Sequence, residues 1–228
     1  MIGIIGAMQS EVELIVSSLE NKECREISGI EFFSGRLSGR KAVVARCGIG
    51  KVFAAICAQT MILHYGVEMI INTGVGGAIS DKLDIGDIAV SDFVVQHDMD
   101  TSALGDPVGL ISGINVVKIA ASDRIVKAVC DTADALGIKC AVGTVASGDQ
   151  FVSSKEKKTF IEQSFGAIVC EMEGAAIGQV CYVNDTPFCV LRAVSDKADG
   201  SSGMDYMTFV GMAAEKNARL LMSVIESI

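Results

Sequence analysis

Acidic side chains end two apolar runs of this sequence, and they are the residues best suited to chemistry. Glu171 and Glu173 close one run, and Ser195 and Asp196 close another. Both runs predict buried strands, and in open α/β sheets the ligand site lies at the carboxyl ends of strands. Helix capping explains one such acid easily, but it explains acids at two neighbouring strand ends poorly. We therefore expect a functional site at this edge of the sheet.

Carboxylates in this arrangement can cleave an N-glycosidic bond through an oxocarbenium-like sugar. The reaction needs an acid that protonates the leaving base, a carboxylate that activates water, and groups that hold the sugar hydroxyls. A carboxyl group with an ordinary pKa of about 4 is ionised at pH 7, so a proton donor needs burial to raise its pKa. Asp196 follows an apolar run and could be buried in this way. Arg192, on the same strand, would oppose that effect if the two paired, and the sequence does not decide between these influences.

Length and charge limit the class of protein. The chain has 228 residues, within the range of one large α/β domain. Its 19 basic and 28 acidic residues give a formal net charge of −9, which disfavours nucleic acid and anionic membranes as partners. No apolar run reaches the roughly 18 residues that span a bilayer. The apolar start at 1–8 lacks a basic segment and predicts a first strand, not a secretion signal, so we expect a cytoplasmic protein.

The cysteines and glycines give no sign of a metal or a nucleotide cofactor. Eight cysteines occur without any Cys-x-x-Cys pair, which is typical of buried thiols in a reducing cytoplasm. Two histidines are too few for a His-rich metal site. The glycine segment at 73–78 lacks the third glycine of a dinucleotide site, and the residues around Gly50-Lys51 do not fit a phosphate loop. The sequence therefore predicts no metal site.

Strands and helices are predicted to alternate along the chain. Strands are expected at 1–7, 31–37, 41–46, 69–72, 87–95, 140–146, 168–171 and 188–194, and helices at 10–19, 51–65, 123–136, 155–163 and 204–225. Ser10 is the expected cap of the first helix, residues 73–78 are predicted to form a glycine loop, and 98–113 the longest irregular loop. No linker interrupts the pattern. It predicts one domain over residues 1–228, an α/β three-layer sandwich with a mixed central sheet.

Six short motifs stand in a specific order along nearly the whole chain. They are Gly3-Ile-Ile-Gly-Ala-Met8 with Glu11, Cys47-Gly-Ile-Gly-Lys51, Ile71-Asn-Thr-Gly74, Ser147-Gly-Asp149, Glu171-Met-Glu173 and Ser195-Asp196. This ordered set resembles the 5′-methylthioadenosine/S-adenosylhomocysteine nucleosidase family. The resemblance implies a nucleoside phosphorylase-like fold, a homodimer, no cofactor, and a small-molecule nucleoside substrate hydrolysed to adenine and a 5-thioribose.

The resemblance also implies roles for four polar residues. Glu11 matches the base that activates water, and Asp196 matches the acid that protonates purine N7. Ser195 matches the residue that orients this acid. Glu173 matches the carboxylate that binds the ribose hydroxyls, where it would also stabilise developing positive charge.

Four further positions match substrate-binding residues of the family. Phe151 matches the stacking partner of adenine, and the Val152 backbone matches the group that reads the adenine edge. Met172 matches the residue under the ribose, and Gly77 falls on a backbone contact in the glycine loop. Core packing is the commoner fate of phenylalanine and methionine side chains. The position of Phe151 after a Ser-Gly-Asp turn nevertheless favours contact with the ligand.

Two departures from the family pattern leave the 5′ substituent open. Val75 stands where the family often has serine, and the loop at 98–113 has none of the aromatic residues that often close the 5′ end from the partner subunit. A nucleosidase of different 5′ preference, such as a futalosine-type hydrolase, is therefore an alternative.

Two other classes of function compete with hydrolysis. A purine nucleoside phosphorylase would need arginines to bind phosphate, but Glu11 and Asn72 stand at the places expected for them, and Arg46 is the only cation nearby. A non-catalytic nucleoside-binding module would have no need for Glu11 or for Asp196.

Overall fold

A computed structural model describes residues 1–200 and 205–228, with the side chains at 205–208 excepted. The described part contains ten strands and six α-helices. The strands are β1 Ile2–Gly6, β2 Glu20–Ile27, β3 Ile30–Leu37, β4 Arg40–Arg46, β5 Met69–Ala78, β6 Ile88–Gln96, β7 Ile119–Ala120, β8 Cys140–Ser147, β9 Ala167–Glu171 and β10 Phe188–Asp196. The helices are α1 Gln9–Ser17, α2 Lys51–Tyr65, α3 Asp123–Ala135, α4 Lys155–Phe165, α5 Gly174–Val183 and α6 Asp205–Ser227.

The strands form one mixed sheet, as the alternating pattern predicts. Strand order is β10-β6-β8-β9-β5-β1-β4-β3-β2, and the short β7 pairs with β6. β1 pairs in parallel with β4 and β5, whereas β2, β3 and β4 are antiparallel. β5 also pairs with β10 and with β9, so that β5, β10, β6, β8 and β9 close into a ring of strands. This closure brings the ends of strands that are distant in sequence around one point.

Helices cover the sheet on two sides and complete the three layers. On one side α1, α3 and α6 pack together, with Ile15, Val129 and Leu220 in a common core. On the other side α2 and α5 share a second core that includes Cys57 and Ile177. Both cores exclude water from the sheet, which provides the main favourable free energy of folding. No helix in the described ranges is long and apolar enough to cross a membrane.

The cap of the first helix and one strand differ from the sequence prediction. Met8, not Ser10, caps α1, because the Glu11 side chain returns to accept a hydrogen bond from the Met8 N–H. β2 was not predicted, since it is an edge strand of mostly charged, exposed residues without an apolar alternation. Charged edges of this kind protect a sheet against further pairing. The predicted start of the last helix, Met204, lies outside the described residues.

The glycine segment at 73–78 forms a strand, so the predicted glycine loop is wrong. These residues continue β5, where Gly77 pairs with Cys170 of β9 and with Asp196 of β10. Composition suggested a loop because glycine weakens an isolated strand. Pairing on both sides outweighs that preference here. The segment at 98–113 is irregular as predicted, apart from a 3₁₀ turn at Ser102–Leu104 and a bridge between Ile111 and Val116.

Candidate active site

One cavity beside the ends of β1, β9 and β10 brings together all eight predicted site residues. It is lined by Ala7, Met8, Glu11, Ile49, Val75, Gly76, Gly77, Gln150, Phe151, Val152, Cys170, Glu171, Met172, Glu173, Ser195 and Asp196. Its empty volume, counted out to the open mouth, is about 550 Å³. Pockets for small molecules usually measure roughly 300–1,000 Å³, so a nucleoside fits this size. Four carboxylates line the cavity, and lysine and arginine are absent from this lining within the described residues.

Glu11 is held rigidly at the start of α1. Its Oε2 accepts hydrogen bonds from the Ala7 and Met8 N–H groups at 2.7 and 2.9 Å, and its Oε1 accepts one from the Val75 N–H at 3.0 Å. Burial raises the pKa of Glu11 above its ordinary value of 4.5, against the opposing effects of Arg192 and these N–H groups. A carboxylate of raised basicity in a fixed orientation is suited to take a proton from water.

Asp196 is the last residue of β10, and its carboxylate is also fixed. Its Oδ2 accepts a hydrogen bond from the Ser195 hydroxyl at 2.9 Å, and its Oδ1 accepts one from the Ala198 N–H at 2.8 Å. The Ser195 hydroxyl lies 3.3 Å from the carbonyl oxygen of Gly76, a second acceptor. Asp196 is buried and lines the cavity. Ser195 therefore contacts the carboxyl group of Asp196 directly.

The two acids of the Glu-x-Glu motif have different environments. Glu171 accepts hydrogen bonds from the N–H groups of Glu173 and Gly174 at 3.0 and 2.8 Å, and also from the Ser147 hydroxyl. It thus caps α5, and capping accounts for this acid. Glu173 instead accepts one hydrogen bond from the Gly50 N–H at 2.9 Å. Its side chain therefore keeps acceptor capacity for a ligand in the cavity.

Arg192 compensates the buried acids of this motif and does not pair with Asp196. It is 1% exposed, forms an ion pair with Glu171 and donates to Asn72 Oδ1 at 2.5 Å. Its Nη2 lies 3.8 Å from Oε2 of Glu173. Burial and the neighbouring charge of Glu171 raise the pKa of Glu173, with Arg192 acting in the opposite direction. Arg192 therefore pairs across the sheet with the Glu-x-Glu motif and is not the partner of Asp196.

The glycines of β5 are explained by what lies against them. A Cβ at Gly74 would stand 2.5 Å from Glu11 Oε1, and a Cβ at Gly77 would stand 2.9 Å from Asp196 Oδ1. Any other residue type would therefore displace a carboxylate of the site. Gly77 lines the cavity from a strand and not from a loop.

Three of the predicted site residues contribute to the apolar walls of the cavity. Phe151 is 61% exposed, so packing in the core is excluded as its role. Val152 is buried, and Met172 is partly buried beside Glu173. Ile49, which the sequence reasoning did not select, lies in the same lining and is also exposed. Apolar walls around a few placed polar groups are typical of a small-molecule binding site.

Some lining residues were not predicted, and their signals were weak. Ala7 and Met8 end the first quoted motif and Gly76 lies in the glycine segment, but none of the three was selected as a site residue. Gln150 lies between the quoted Ser-Gly-Asp motif and Phe151, so the adjacent motif was the available signal. Cys170 resembles any other buried thiol in an apolar run.

The family model of the phosphorylase superfamily matches residues 1–226 of this chain. A relative from Shewanella sediminis, named 5′-methylthioadenosine/S-adenosylhomocysteine nucleosidase, is 39% identical over 228 residues, covering 100% of this chain and 99% of the relative. The chain therefore belongs to the phosphorylase superfamily and, within it, to the family of 5′-methylthioadenosine/S-adenosylhomocysteine nucleosidases.

Solved structures give the same result. A nucleosidase of this name from Neisseria meningitidis, in complex with methylthio-immucillin-A, is 32% identical and superposes with a TM-score of 0.96, over 100% of this chain and 99% of that one. The corresponding Helicobacter pylori protein is 36% identical with a TM-score of 0.96, over 100% and 98% of the two chains. A futalosine hydrolase from the same organism is 35% identical with a TM-score of 0.95, over 100% and 97%.

Proposed function

We propose that this protein hydrolyses the N-glycosidic bond of 5′-methylthioadenosine and S-adenosylhomocysteine, releasing adenine and a 5-thioribose. The observation that carries the proposal is the convergence of Glu11, Glu173 and Asp196 with Phe151 on one cavity. A binding module would have no need for a fixed acid and a fixed base on opposite parts of the same site. The family relationship supports the same reaction.

The purine end of the site is assigned to Phe151, Val152 and Asp196. The exposed ring of Phe151 stacks on adenine, and the Val152 backbone binds the edge of the base. Asp196, oriented by Ser195, donates a proton to purine N7 as the glycosidic bond breaks, so that adenine leaves as a neutral molecule. Protonation of the leaving group lowers the barrier for departure.

The sugar end is assigned to Glu11, Met172 and Glu173. Glu173 accepts hydrogen bonds from the ribose hydroxyls, and Met172 packs under the ring. Glu11 takes a proton from a water molecule that attacks the anomeric carbon. Both carboxylates stabilise the positive charge that develops on the sugar, an interaction that is stronger in the transition state than in the ground state.

The charges of the cavity support water and not phosphate as the nucleophile. Glu11, ionised as the base, would repel phosphate, and the described lining contains no cation to bind it. Arg192 is already engaged by Glu171 and Asn72, and Arg46 is exposed and lies outside the lining. Hydrolysis is therefore favoured over phosphorolysis.

The second candidate function is hydrolysis of a nucleoside with a different 5′ substituent, and one observation favours it. Leu104, in the loop that the resemblance places at the 5′ end, is 84% exposed, and that loop has no aromatic side chain. The futalosine hydrolase at 35% identity is almost as similar to this chain as the Helicobacter pylori nucleosidase at 36%. Overall similarity does not separate these substrates, whereas kinetics can.

We expect adenine release from methylthioadenosine and adenosylhomocysteine in phosphate-free buffer, with a free thioribose as the sugar product. Chromatography of the products with and without added phosphate checks this. An absolute requirement for phosphate, with a sugar 1-phosphate as product, would establish a phosphorylase. A kcat/KM for futalosine far above that for both thio-nucleosides would show that futalosine is the substrate, while hydrolysis of the N-glycosidic bond would remain the reaction.

We further propose a homodimer formed through α2. Val52, Phe53 and Leu63 are 70%, 52% and 74% exposed, and with Ile56 they form an apolar stripe along this helix. The stripe continues into Ile49 at the cavity mouth. A second copy of the chain would cover this surface and narrow the opening of the cavity.

We also propose that the protein acts in the cytoplasm. The eight free cysteines fit a reducing compartment of this kind.

We expect the protein to sediment as a dimer at micromolar concentration. A charge within the stripe should prevent association, so Phe53→Asp should sediment as a monomer. Leu136→Asp, which changes a similarly exposed residue at the end of α3, is the matched control and should remain dimeric. A monomeric parent protein, or equal behaviour of the two variants, would refute this interface.

A further inference from the structure

A ring of three hydrogen bonds lies beside the cavity at the start of α2. Lys51 Nζ donates to Asp98 Oδ1 at 2.7 Å, and the Asp149 N–H donates to Asp98 Oδ2 at 2.9 Å. Asp149 Oδ1 in turn accepts from the Lys51 N–H at 2.8 Å, which closes the ring. The side chains of Lys51 and Asp98 are only 19% and 14% exposed. We refer to Lys51, Asp98 and Asp149 as the polar ring.

Each member of the polar ring comes from a different part of the chain. Lys51 begins α2, Asp98 begins the irregular loop after β6, and Asp149 follows β8. The two last segments also pack tightly, because a Cβ at Gly148 would lie 2.5 Å from the His97 ring. Lys51 Nζ makes a further hydrogen bond to Gln96 Oε1 at 3.0 Å. The polar ring therefore joins three segments that are far apart in the sequence.

The polar ring adjoins both ends of the proposed nucleoside site without lining the cavity itself. Gly50, the residue before Lys51, donates its N–H to Glu173. Gln150 and Phe151, the residues after Asp149, line the cavity at the base end. A Cβ at Gly50 would stand 3.0 Å from Asp149 Oδ1, so these two segments are in close contact.

We propose that Lys51, Asp98 and Asp149 are positioning residues that fix the base-binding segment at 149–152 relative to the ribose carboxylate Glu173. This inference rests on the proposed function, because the proposed function places the base of one nucleoside at 149–152 and its ribose at Glu173. The Lys51 cation is central to it because it neutralises Asp98 where little water reaches the pair. Burial raises the pKa of Asp98, but Lys51 and the Asp149 N–H outweigh this and hold the pKa below its ordinary value. Asp98 thus stays an acceptor that keeps Asp149 in place.

The test is a double-mutant cycle of Lys51→Met and Asp98→Asn, assayed with methylthioadenosine and with adenosine. Lys51→Met should raise KM about tenfold for both nucleosides, the effect of one lost charge-assisted hydrogen bond, with a smaller change in kcat. The two nucleosides share base and ribose, so their losses should match. In the double variant Asp98 no longer carries an unpaired charge, and the loss should be smaller than the product of the single losses. Lys127→Met, at an exposed pair on α3, is the matched control and should leave KM unchanged.

Hydrogen exchange of the unliganded proteins gives a readout that does not depend on turnover. Lys51→Met should accelerate exchange of the amides of Asp149 and Lys51, while Lys127→Met should not. Three results would each overturn the positioning role. They are an unchanged KM with normal exchange in Lys51→Met, additive losses in the double-mutant cycle, and a rise in KM confined to the 5′-thio nucleoside. Failure of the parent protein to release adenine would instead refute the proposed function, and exchange would still report on the polar ring.

Discussion

Asp196→Asn is expected to lose roughly 10²–10⁴-fold in kcat for methylthioadenosine, the usual size of general acid catalysis. An amide cannot deliver a proton to N7, although it has nearly the same shape as the acid. Steady-state adenine release by the variant and by the parent protein measures the loss. Asp131→Asn, at an exposed aspartate on α3, is the matched control and should keep the activity of the parent protein.

The structure explains why Asp196→Asn should still fold. The amide oxygen can accept the hydrogen bond from the Ala198 N–H, and the amide nitrogen can donate to the Ser195 hydroxyl oxygen. That hydroxyl can then turn toward the Gly76 carbonyl oxygen at 3.3 Å. Thermal unfolding should therefore resemble that of the parent protein.

A change of leaving group tests the role of Asp196 as a proton donor. A para-nitrophenyl O-glycoside of 5-methylthioribose releases a stable phenolate anion without protonation. The loss of kcat in Asp196→Asn should therefore be smaller with this substrate than with methylthioadenosine. Near-normal release of adenine by the variant would remove Asp196 from the role of acid. An equal defect with both substrates would assign it to binding instead.

Glu11→Gln is expected to cause the second large loss, again about 10²–10⁴-fold in kcat, because the amide cannot take a proton from water. The amide nitrogen has to face one of the three N–H groups that now bind the carboxylate, at a cost of about 1–3 kcal/mol for an unsatisfied buried donor. Circular dichroism and thermal unfolding must therefore accompany the kinetics. Glu13→Gln changes an exposed residue of the same helix and serves as the control.

The pH dependence gives an independent test of Glu11. The base acts only when ionised, and burial raises the pKa of Glu11 above 4.5, so kcat/KM should fall with decreasing pH through a limb that lies above pH 4.5. The folded state disfavours the ionised form of this residue, and its contribution to stability therefore becomes less favourable as pH rises through that limb. Activity that stays flat down to pH 4.5, or a Glu11→Gln variant of near-normal kcat, would contradict the role of base.

Much of the fold followed from local pattern. The bounds of α2 agree with the prediction to the residue, since an apolar face and a terminal Gly66 in the left-handed conformation are local signals. The edge strand β2 and the strand character of 73–78 were missed, because both depend on neighbours. β2 is held by pairing with β3, and the glycines of β5 pair with β10 and, at Gly77, also with β9.

The eight residues selected from the sequence converge on one cavity, and the structure gives the two acids of the Glu-x-Glu motif different environments. Glu171 and Glu173 are equivalent in sequence as strand-end carboxylates. In the fold, Glu171 caps α5 and pairs with Arg192, whereas Glu173 bonds to Gly50 and faces the cavity. Asp98 and Lys51 belong to unrelated segments until β6 and α2 bring them within 2.7 Å.

The sequence by itself determined which acidic residues stand at the ends of strands and in which order they follow along the chain. The periodicity of apolar residues and the turn residues carry this information, because both act over a few neighbouring positions. The tertiary structure alone decided which carboxylate pairs with Arg192, which stays available to a ligand, and why β5 needs glycine against Glu11 and Asp196. These choices depend on distances of a few ångströms between strands far apart in the chain. Such distances are set by sheet register and by packing of the helical layers, which no local pattern encodes.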